Sequence, residues 1–131
     1  MTERDILELL AMAKKAKKNS YSPYSGFSVG AALLGKSGKI YLGCNIENSA
    51  YSPTCCAERA ALFSAVSGGE REFSAIAVVG DRAPCSPCGV CRQVLSEFCS
   101  EDFPVIVEDG DGAPLTYTLG ELLPMAFSFK K

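Results

Sequence analysis

The sequence Cys56-Ala57-Glu58, together with Pro87-Cys88-Gly89-Val90-Cys91 further along the chain, decides how the remaining residues are interpreted. The two segments supply three thiolates and one carboxylate that is not needed as a ligand. A catalytic zinc site has this composition, because three protein ligands leave one position for a water whose pKa falls from ~15.7 to roughly 7. A carboxylate beside that water can take its proton and pass it to a leaving group. The segments therefore predict a hydrolytic metal centre, with Glu58 carrying protons.

Both cysteine segments lie where a helix is predicted to begin. Cys56 opens a helix that runs to about Ser67, and Cys88 and Cys91 lie three residues apart in the first turn of a second helix behind Pro87. Residues at that spacing share one helix face. The positive ends of two helix dipoles lower thiol pKa values and favour several thiolates in a small space. We therefore expect Cys56, Cys88 and Cys91 to hold one Zn²⁺ per chain.

Arg59 directly follows Glu58 and offers a positive charge at the same helix start. Three thiolates around Zn²⁺ leave a formal charge of −1, which weakens the metal as a Lewis acid. Hydrogen bonds from a guanidinium to the sulfurs offset that charge, and such contacts outside the ligand set tune a metal strongly. We therefore expect Arg59 to contact the ligand sulfurs without binding the metal.

The remaining elements alternate between strands and helices, which predicts an α/β domain with a parallel component in its sheet. Residues 1–131 contain no internal repeat or linker and are interpreted as a single domain. The two strands on either side of Gly35–Gly38 are expected to form a hairpin. The further elements are a helix over 2–18, strands over Phe27–Leu34, Ile40–Ile46, Phe73–Val79, Pro104–Val107 and Leu115–Thr118, and a helical turn over Leu119–Leu123.

Composition excludes several classes of function. The chain has no histidine, so no histidine can act as ligand or base. The chain has seven cysteines, an odd number, and no secretory signal is recognised in the sequence. Both observations favour metal binding in a reducing compartment over disulfides. A net charge of −2 disfavours a protein that tracks nucleic-acid phosphates. No apolar run approaches the ~20 residues of a membrane span. We expect a soluble cytoplasmic protein that binds neither membrane nor nucleic-acid polymer.

Three other interpretations of the cysteines remain open at this point. A thioredoxin-like redox pair would explain the second segment alone and leave Cys56 and Glu58 without a role. A structural four-cysteine zinc site could recruit Cys55 or Cys85, because Cys85-Ser-Pro-Cys88 is itself a C-x-x-C motif. The proline before Cys88 fits a helix start and places Cys85 in the preceding loop. Ordinary buried cysteines would require two spaced segments to match by chance.

With both segments in place, the chain resembles the cytidine deaminases of the small-subunit type that assembles as a homotetramer. The resemblance implies a three-layer α-β-α fold, with a mixed sheet of about five strands and helices on both faces. It implies zinc-dependent hydrolysis of cytidine and deoxycytidine to uridine and deoxyuridine with release of ammonia, a step of pyrimidine salvage. The further matching segments, between about Tyr21 and Phe127, are Phe27-Ser-Val-Gly-Ala-Ala, Gly43-Cys-Asn-Ile-Glu-Asn48, Ala50-Tyr51 and Glu121-Leu-Leu-Pro124.

The same resemblance implies the substrate contacts. Asn45 and Glu47 would hold the ribose 3′-hydroxyl, Phe27 would pack against the pyrimidine, and Ala57 would offer backbone contacts to the base. Phe127 would reach toward the site of a neighbouring subunit. Without the resemblance, Asn45 and Glu47 fit an ordinary surface loop equally well, because Asn suits turn geometry and Glu suits a solvated position. Ala60, where many members have threonine, and Cys55 depart from the usual pattern without touching these groups.

Three further functions compete with a free-nucleoside deaminase. A polynucleotide-editing deaminase would share the zinc segments but add a basic groove and stacking aromatic residues. An aminonucleoside-antibiotic deaminase would share the chemistry, but the pair Asn45 and Glu47 argues for a sugar hydroxyl. A zinc-stabilised interaction module would need no Glu58. The charge balance disfavours the first of these functions, and the carboxylate disfavours the last.

Overall fold

The computed structural model describes residues 1–129, which form one five-stranded sheet with helices on both faces. The helices and strands predicted from the sequence are present, with ends shifted by a few residues. In chain order they are α1 (Glu3–Lys17), β1 (Val29–Gly35), β2 (Ile40–Cys44), α2 (Ala57–Ser67), β3 (Phe73–Gly80), α3 (Gly89–Phe98), β4 (Pro104–Glu108), β5 (Pro114–Thr118) and α4 (Leu119–Leu122).

The sheet is mixed, as predicted, and its strand order is β2-β1-β3-β4-β5. The hairpin of β1 and β2 is antiparallel, and so are the pairs β1–β3 and β4–β5. Strands β3 and β4 are parallel, because α3 connects them as a crossover. Consequently β2, β3 and β4 end at the same edge of the sheet, where β1 begins. Helices α2 and α3 follow β2 and β3, so both start at this edge.

The two faces of the sheet bury different helices, because alternate residues of a strand point to opposite sides. On β3, Ile76 and Val78 pack in the cluster that contains α2 and α3, whereas Ala75 and Ala77 pack in the cluster that contains α1. Small residues of β1 and β3, among them Ala32, lie on the α1 side and let the helix approach closely. A Cβ at Gly30 would lie 2.1 Å from the carbonyl oxygen of α1 residue 13. The three-layer prediction is confirmed.

Helix α2 contradicts one detail of the sequence interpretation. The helical spacing in the sequence predicts Phe63 on the apolar side of this helix, together with Leu62, but Phe63 is 48% exposed. The helix instead meets the sheet through Ala61, Leu62 and Ala65, which are fully buried. Gly43 explains this choice: a Cβ there would lie 2.5 Å from the backbone nitrogen of Ala61. Small residues on both sides bring the backbones together, and the bulky ring is left on the outer side.

The spacing of Thr2 and Asp5 in the sequence predicts a capping box at the start of α1, with Asp in place of the usual Glu. The structure confirms it: the Thr2 hydroxyl accepts from the backbone nitrogen of Asp5 at 3.1 Å, and the Asp5 carboxylate accepts from the backbone nitrogen of Thr2 at 3.0 Å. No helix within residues 1–129 is long and apolar enough to cross a membrane.

Candidate active site

The three predicted ligands meet at the edge where α2 and α3 begin. Cys56 and Cys88 are the N-cap residues of these helices, and Cys91 lies fully buried in the first turn of α3. Their sulfur atoms lie within 4.8 Å of one another, and those of Cys56 and Cys88 are 3.8 Å apart. Tetrahedral Zn–S bonds of about 2.3 Å separate ligand sulfurs by roughly 3.8 Å. The three cysteines therefore fit a zinc ion, and Cys85 is not part of their cluster.

A short pairing of backbone segments brings Cys56 to this place. The loop after β2 folds back on itself, with two hydrogen bonds of 2.9 Å between Ile46 and Cys55. Cys56 consequently lies near the end of β2, although the loop over residues 47–54 separates them in sequence. The departure from the family pattern at Cys55 thus lies in this pairing and outside the sulfur cluster.

The thiols of the cluster share protons unequally. A hydrogen bond from Cys91 lowers the pKa of Cys56, and the Arg59 guanidinium lowers it further. The same hydrogen bond raises the pKa of the Cys91 thiol, which acts as donor, and burial raises it again. Because only thiolates bind zinc, metal binding must release the remaining protons from this cluster.

Glu58 lies in the first turn of α2 and is only 4% exposed. Burial raises the pKa of its carboxyl group to about 7, and the nearby thiolate of Cys56 acts in the same direction. A bound cation would favour the carboxylate and lower this pKa. A carboxyl group that titrates near neutrality can both accept and return a proton. Its surroundings therefore suit the proton-carrying role predicted for it.

Arg59 makes the contact predicted from the sequence. Its Nη2 lies 3.3 Å from the sulfur of Cys56 and 3.4 Å from the carbonyl oxygen of Thr54. The pKa of Arg59 is raised, mainly by the hydrogen bond to Cys56. Its Nε is buried and has no hydrogen-bond partner within residues 1–129. The guanidinium is thus held against one ligand sulfur by the thiolate and a backbone carbonyl.

Asn45, predicted to bind a sugar hydroxyl, is 8% exposed and already holds the chain around it. Its Nδ2 donates to the carbonyl oxygen of Phe27 at 2.8 Å, and its Oδ1 accepts from the backbone nitrogen of Val29 at 2.9 Å. The hydroxyl of Ser20 also donates to Oδ1. Both lone pairs of the amide oxygen are therefore used, whereas the NH₂ group has two donors and uses one, so one N–H of Asn45 is left for a ligand.

Glu47 fastens the loop before Phe27. One carboxylate oxygen accepts from the backbone nitrogens of Tyr24 and Ser25 at 2.9 and 3.0 Å, and the other accepts from the Ser25 hydroxyl. Those hydrogen bonds hold the pKa of Glu47 below its ordinary value. Glu47 also lines a cavity of about 400 Å³. The lining residues are Tyr24, Ser25, Glu47, Asn48, Tyr51 and Thr54.

The other predicted contact residues differ in exposure. Phe27 is half-buried, and the guanidinium carbon of Arg82 lies 5.3 Å from the centre of its ring. Ala57 is fully buried at the start of α2. Phe127 is 66% exposed. Its ring packs edge-to-face with that of Phe129, with the ring centroids 5.0 Å apart.

Sequence reasoning missed Arg92, which holds the ligand loop in place. Its Nε donates to the carbonyl oxygen of Pro87 and its Nη1 to that of Leu122, both at 2.7 Å. Its Nη2 lies 3.3 Å from the hydroxyl of Ser86. The side chain therefore ties the residues before Cys88 to α4. The sequence shows only an arginine next to Cys91. Its position does not reveal a hydrogen-bond partner as distant in sequence as Leu122.

The sequence and the fold both match known proteins. Residues 3–107 match the family described as the cytidine and deoxycytidylate deaminase zinc-binding region. A cytidine deaminase of Sporosarcina psychrophila is 56% identical over 125 residues, which cover 95% of this chain and 92% of that protein. A crystal structure of cytidine deaminase from Burkholderia pseudomallei has a TM-score of 0.89 at 46% identity, covering 97% of this chain and all of that one. The chain therefore belongs to the family of zinc-binding cytidine and deoxycytidylate deaminases.

Proposed function

We propose that this protein is a zinc-dependent cytidine deaminase, which converts cytidine and deoxycytidine to uridine and deoxyuridine with release of ammonia. The observation that carries the proposal is the cluster of three cysteine sulfurs within 4.8 Å of one another, beside a carboxylate that is 4% exposed. The first feature fits one zinc ion per chain. The second is not needed for a structural metal site. Such a reaction would return pyrimidine nucleosides to salvage.

The chemistry divides between the metal and the buried carboxylate. Zinc held by Cys56, Cys88 and Cys91 supplies a Lewis acid that makes water a nucleophile near neutral pH. Glu58 would accept one proton from the attacking water and deliver it to N3 of the pyrimidine. It would then take the second proton, from the oxygen newly bound to C4, and deliver it to the departing amine, so that the C4 carbonyl forms as the C–N bond breaks. Its burial suits this role, because water would otherwise compete for the same protons. Arg59 offsets the excess thiolate charge without touching the substrate.

The substrate would lie between the end of β2 and the start of β1. The remaining N–H of Asn45 and an oxygen of Glu47 would bind the ribose 3′-hydroxyl. Phe27 would pack against the pyrimidine, and the backbone of Ala57 would meet the base. Because Asn45 and Glu47 also hold the loop around Phe27, the sugar and base contacts belong to one rigid unit. A substrate without the hydroxyl would leave polar groups unpaired, which costs more than a lost packing contact.

We further propose that residues 1–131 are a single domain that assembles as a homotetramer, with Phe127 reaching the site of a neighbouring subunit. Large apolar side chains are exposed along the described chain, as an interface between copies requires. They include Ile46, Tyr51, Phe63, Val90 and Met125. Sedimentation velocity should give the mass of four chains. None of the seven cysteines forms a disulfide, which suits the proposed cytoplasmic location.

Ammonia release from a panel of substrates tests this function most broadly. Zinc-replete protein should act on cytidine and deoxycytidine, and poorly on 3′-deoxycytidine. It should act neither on cytidine with a 3′-phosphodiester nor on single-stranded DNA or RNA, because a bound 3′-hydroxyl leaves no exit for a chain. Efficient turnover of a polynucleotide, or of an aminonucleoside antibiotic in preference to cytidine, would contradict the proposal. A zinc protein that is inactive on every compound would be a structural module.

A further inference from the structure

The segment from Phe27 to Val29 lies at the entrance to β1, and two side chains hold it. Asn45 binds the carbonyl oxygen of Phe27 and the backbone nitrogen of Val29. Between them, the backbone nitrogen of Ser28 donates to Oδ2 of Asp81 at 2.7 Å. The backbone nitrogen of Asp81 returns a bond of 3.1 Å to the Ser28 carbonyl oxygen. The backbone that carries the Phe27 ring is thus clamped from both sides.

Asp81 is itself fixed from a third element. Its Oδ1 lies 3.1 Å from Nζ of Lys17, and the two side chains are only 38% and 30% exposed. Lys17 is the last residue of α1, which packs directly on β1 at Gly30, where a Cβ would lie 2.5 Å from the backbone nitrogen of Lys17. The two carboxylate oxygens of Asp81 therefore have different partners, so the side chain cannot rotate without losing one of them.

The placement of Asp81 on the chain gives these contacts a functional meaning. Asp81 follows β3 directly and begins the loop that leads to the ligands Cys88 and Cys91. The end of this short loop therefore leads into the cysteine cluster, and its first residue bonds to the backbone beside Phe27. A Cβ at Gly80, the last residue of β3, would lie 3.0 Å from the Phe27 ring, so the end of β3 lies beside the ring.

We propose that Asp81 is a positioning residue for substrate binding, which sets the Phe27 ring at its distance from the metal cluster through the bond to Ser28. The inference rests on the proposed function, in which Phe27 packs against the pyrimidine. Among the described residues Asp81 bonds to Ser28 and Lys17, neither of which is a proposed metal ligand or substrate contact, so it would act through the backbone of Ser28. Its loss should weaken binding of the base and leave the proton transfers of Glu58 intact.

Cytidine kinetics of Asp81→Ala and Asp81→Asn test this role. Loss of a hydrogen bond to a charged acceptor is an effect of about tenfold. Asp81→Ala should therefore raise KM for cytidine about tenfold, with kcat and zinc content close to those of the parent. Asp81→Asn keeps an oxygen for the Ser28 nitrogen while losing the ion pair, so its KM should return close to the parent value. Lys14→Met is the matched control, because it removes another ion pair between α1 and the sheet, at 2.7 Å from Glu108.

Two further variants separate a positioning role from general support of the fold. In a Phe27→Ala background, Asp81→Ala should raise KM no further, because both changes remove the same contact. If Asp81→Ala does not fold, Asp81→Ser replaces it, because serine is polar but shorter than aspartate. An unchanged KM in folded Asp81→Ala or Asp81→Ser contradicts the positioning role. Loss of both the fold and the zinc in Asp81→Ala and in Asp81→Ser also contradicts it. An inactive parent protein would instead contradict the proposed function, whereas an active parent with a normal KM in Asp81→Ala contradicts this inference alone.

Discussion

The guanidinium of Arg59 lies 3.3 Å from the sulfur of Cys56, inside the first turn of the helix that also carries Glu58. This contact places a permanent positive charge against the three cysteines proposed to hold zinc. With the metal bound, that charge would offset the negative charge of three thiolates, which otherwise reduces the electrophilicity of the metal. The proposed acid–base group and the charge proposed to tune the metal come from neighbouring positions on one helix.

Replacing Arg59 should loosen the metal and slow the reaction. We expect Arg59→Gln to fold, to yield zinc to a chelator more readily, and to lower kcat by roughly 10–100-fold, as such contacts typically do. Arg71→Gln is the matched control, because Arg71 donates to the carbonyl oxygen of Val66 at the opposite end of α2. Unchanged kinetics and unchanged zinc retention in Arg59→Gln would remove Arg59 from the mechanism.

Single cysteine variants should identify the ligands. Cys88→Ala and Cys91→Ala should each lose zinc and activity together, because two sulfurs remain for the metal. Cys85→Ala should retain both, since Cys85 lies outside the sulfur cluster. Elemental analysis beside a turnover assay measures this directly. Zinc lost from Cys85→Ala and kept in Cys91→Ala would mean that the other C-x-x-C pair binds the metal.

The proposed role of Phe127 predicts complementation between two defective variants. Glu58→Ala lacks its own proton carrier, and Phe127→Ala lacks the ring offered to a neighbour. A mixed tetramer contains sites with an intact Glu58 and a neighbour with an intact Phe127, so mixing and reassembly should recover part of the lost activity. Reassembled single variants are the control. Absence of recovery in a verified mixed tetramer would mean that Phe127 serves its own subunit or none.

Gly43 should be needed for the approach of α2 to the sheet. A Cβ there would lie 2.3 Å from the carbonyl oxygen of Ala57, which directly follows the ligand Cys56. Gly43→Ala must therefore shift the start of α2, and overpacking of this kind costs about 1–3 kcal/mol. We expect a lower unfolding midpoint in urea together with weaker zinc binding. Gly110→Ala is the control, because a Cβ there meets nothing within 4 Å. Parent-like stability and zinc affinity in Gly43→Ala would contradict the close packing.

Local signals predicted much of this molecule. The capping box at Thr2, the hairpin and the cysteine spacings depend on residues close in sequence, where periodicity and turn chemistry are informative. The burial of α2 was harder, because Phe63 and Ala61 differ by less than a turn and Gly43 decides which of them meets the sheet. The helix face depends on the partner strand, which no helical pattern contains.

The hydrogen bonds around the site could not be predicted for a related reason. Asp81 reaches Ser28 across 53 positions of sequence, and Arg92 reaches the carbonyl oxygen of Leu122 across 30. Their partners are backbone groups, which nearly every residue type has, so the sequence does not identify them. Asn45 shows the same limit, because its side chain satisfies backbone groups of Phe27 and has one N–H left for a ligand.

Glu58→Ala, measured for zinc content, ligand binding and cytidine turnover on one preparation, tests the proposed mechanism most directly. In the proposed mechanism Glu58 does not bind the metal, so the variant should keep one zinc per chain and should still bind a cytidine analogue through Asn45, Glu47 and Phe27. The same mechanism assigns several proton transfers to this carboxylate, so turnover should fall by far more than the ~10²–10⁴-fold of a single acid–base step. Retention of most of the parent turnover in a zinc-replete Glu58→Ala preparation would contradict the mechanism.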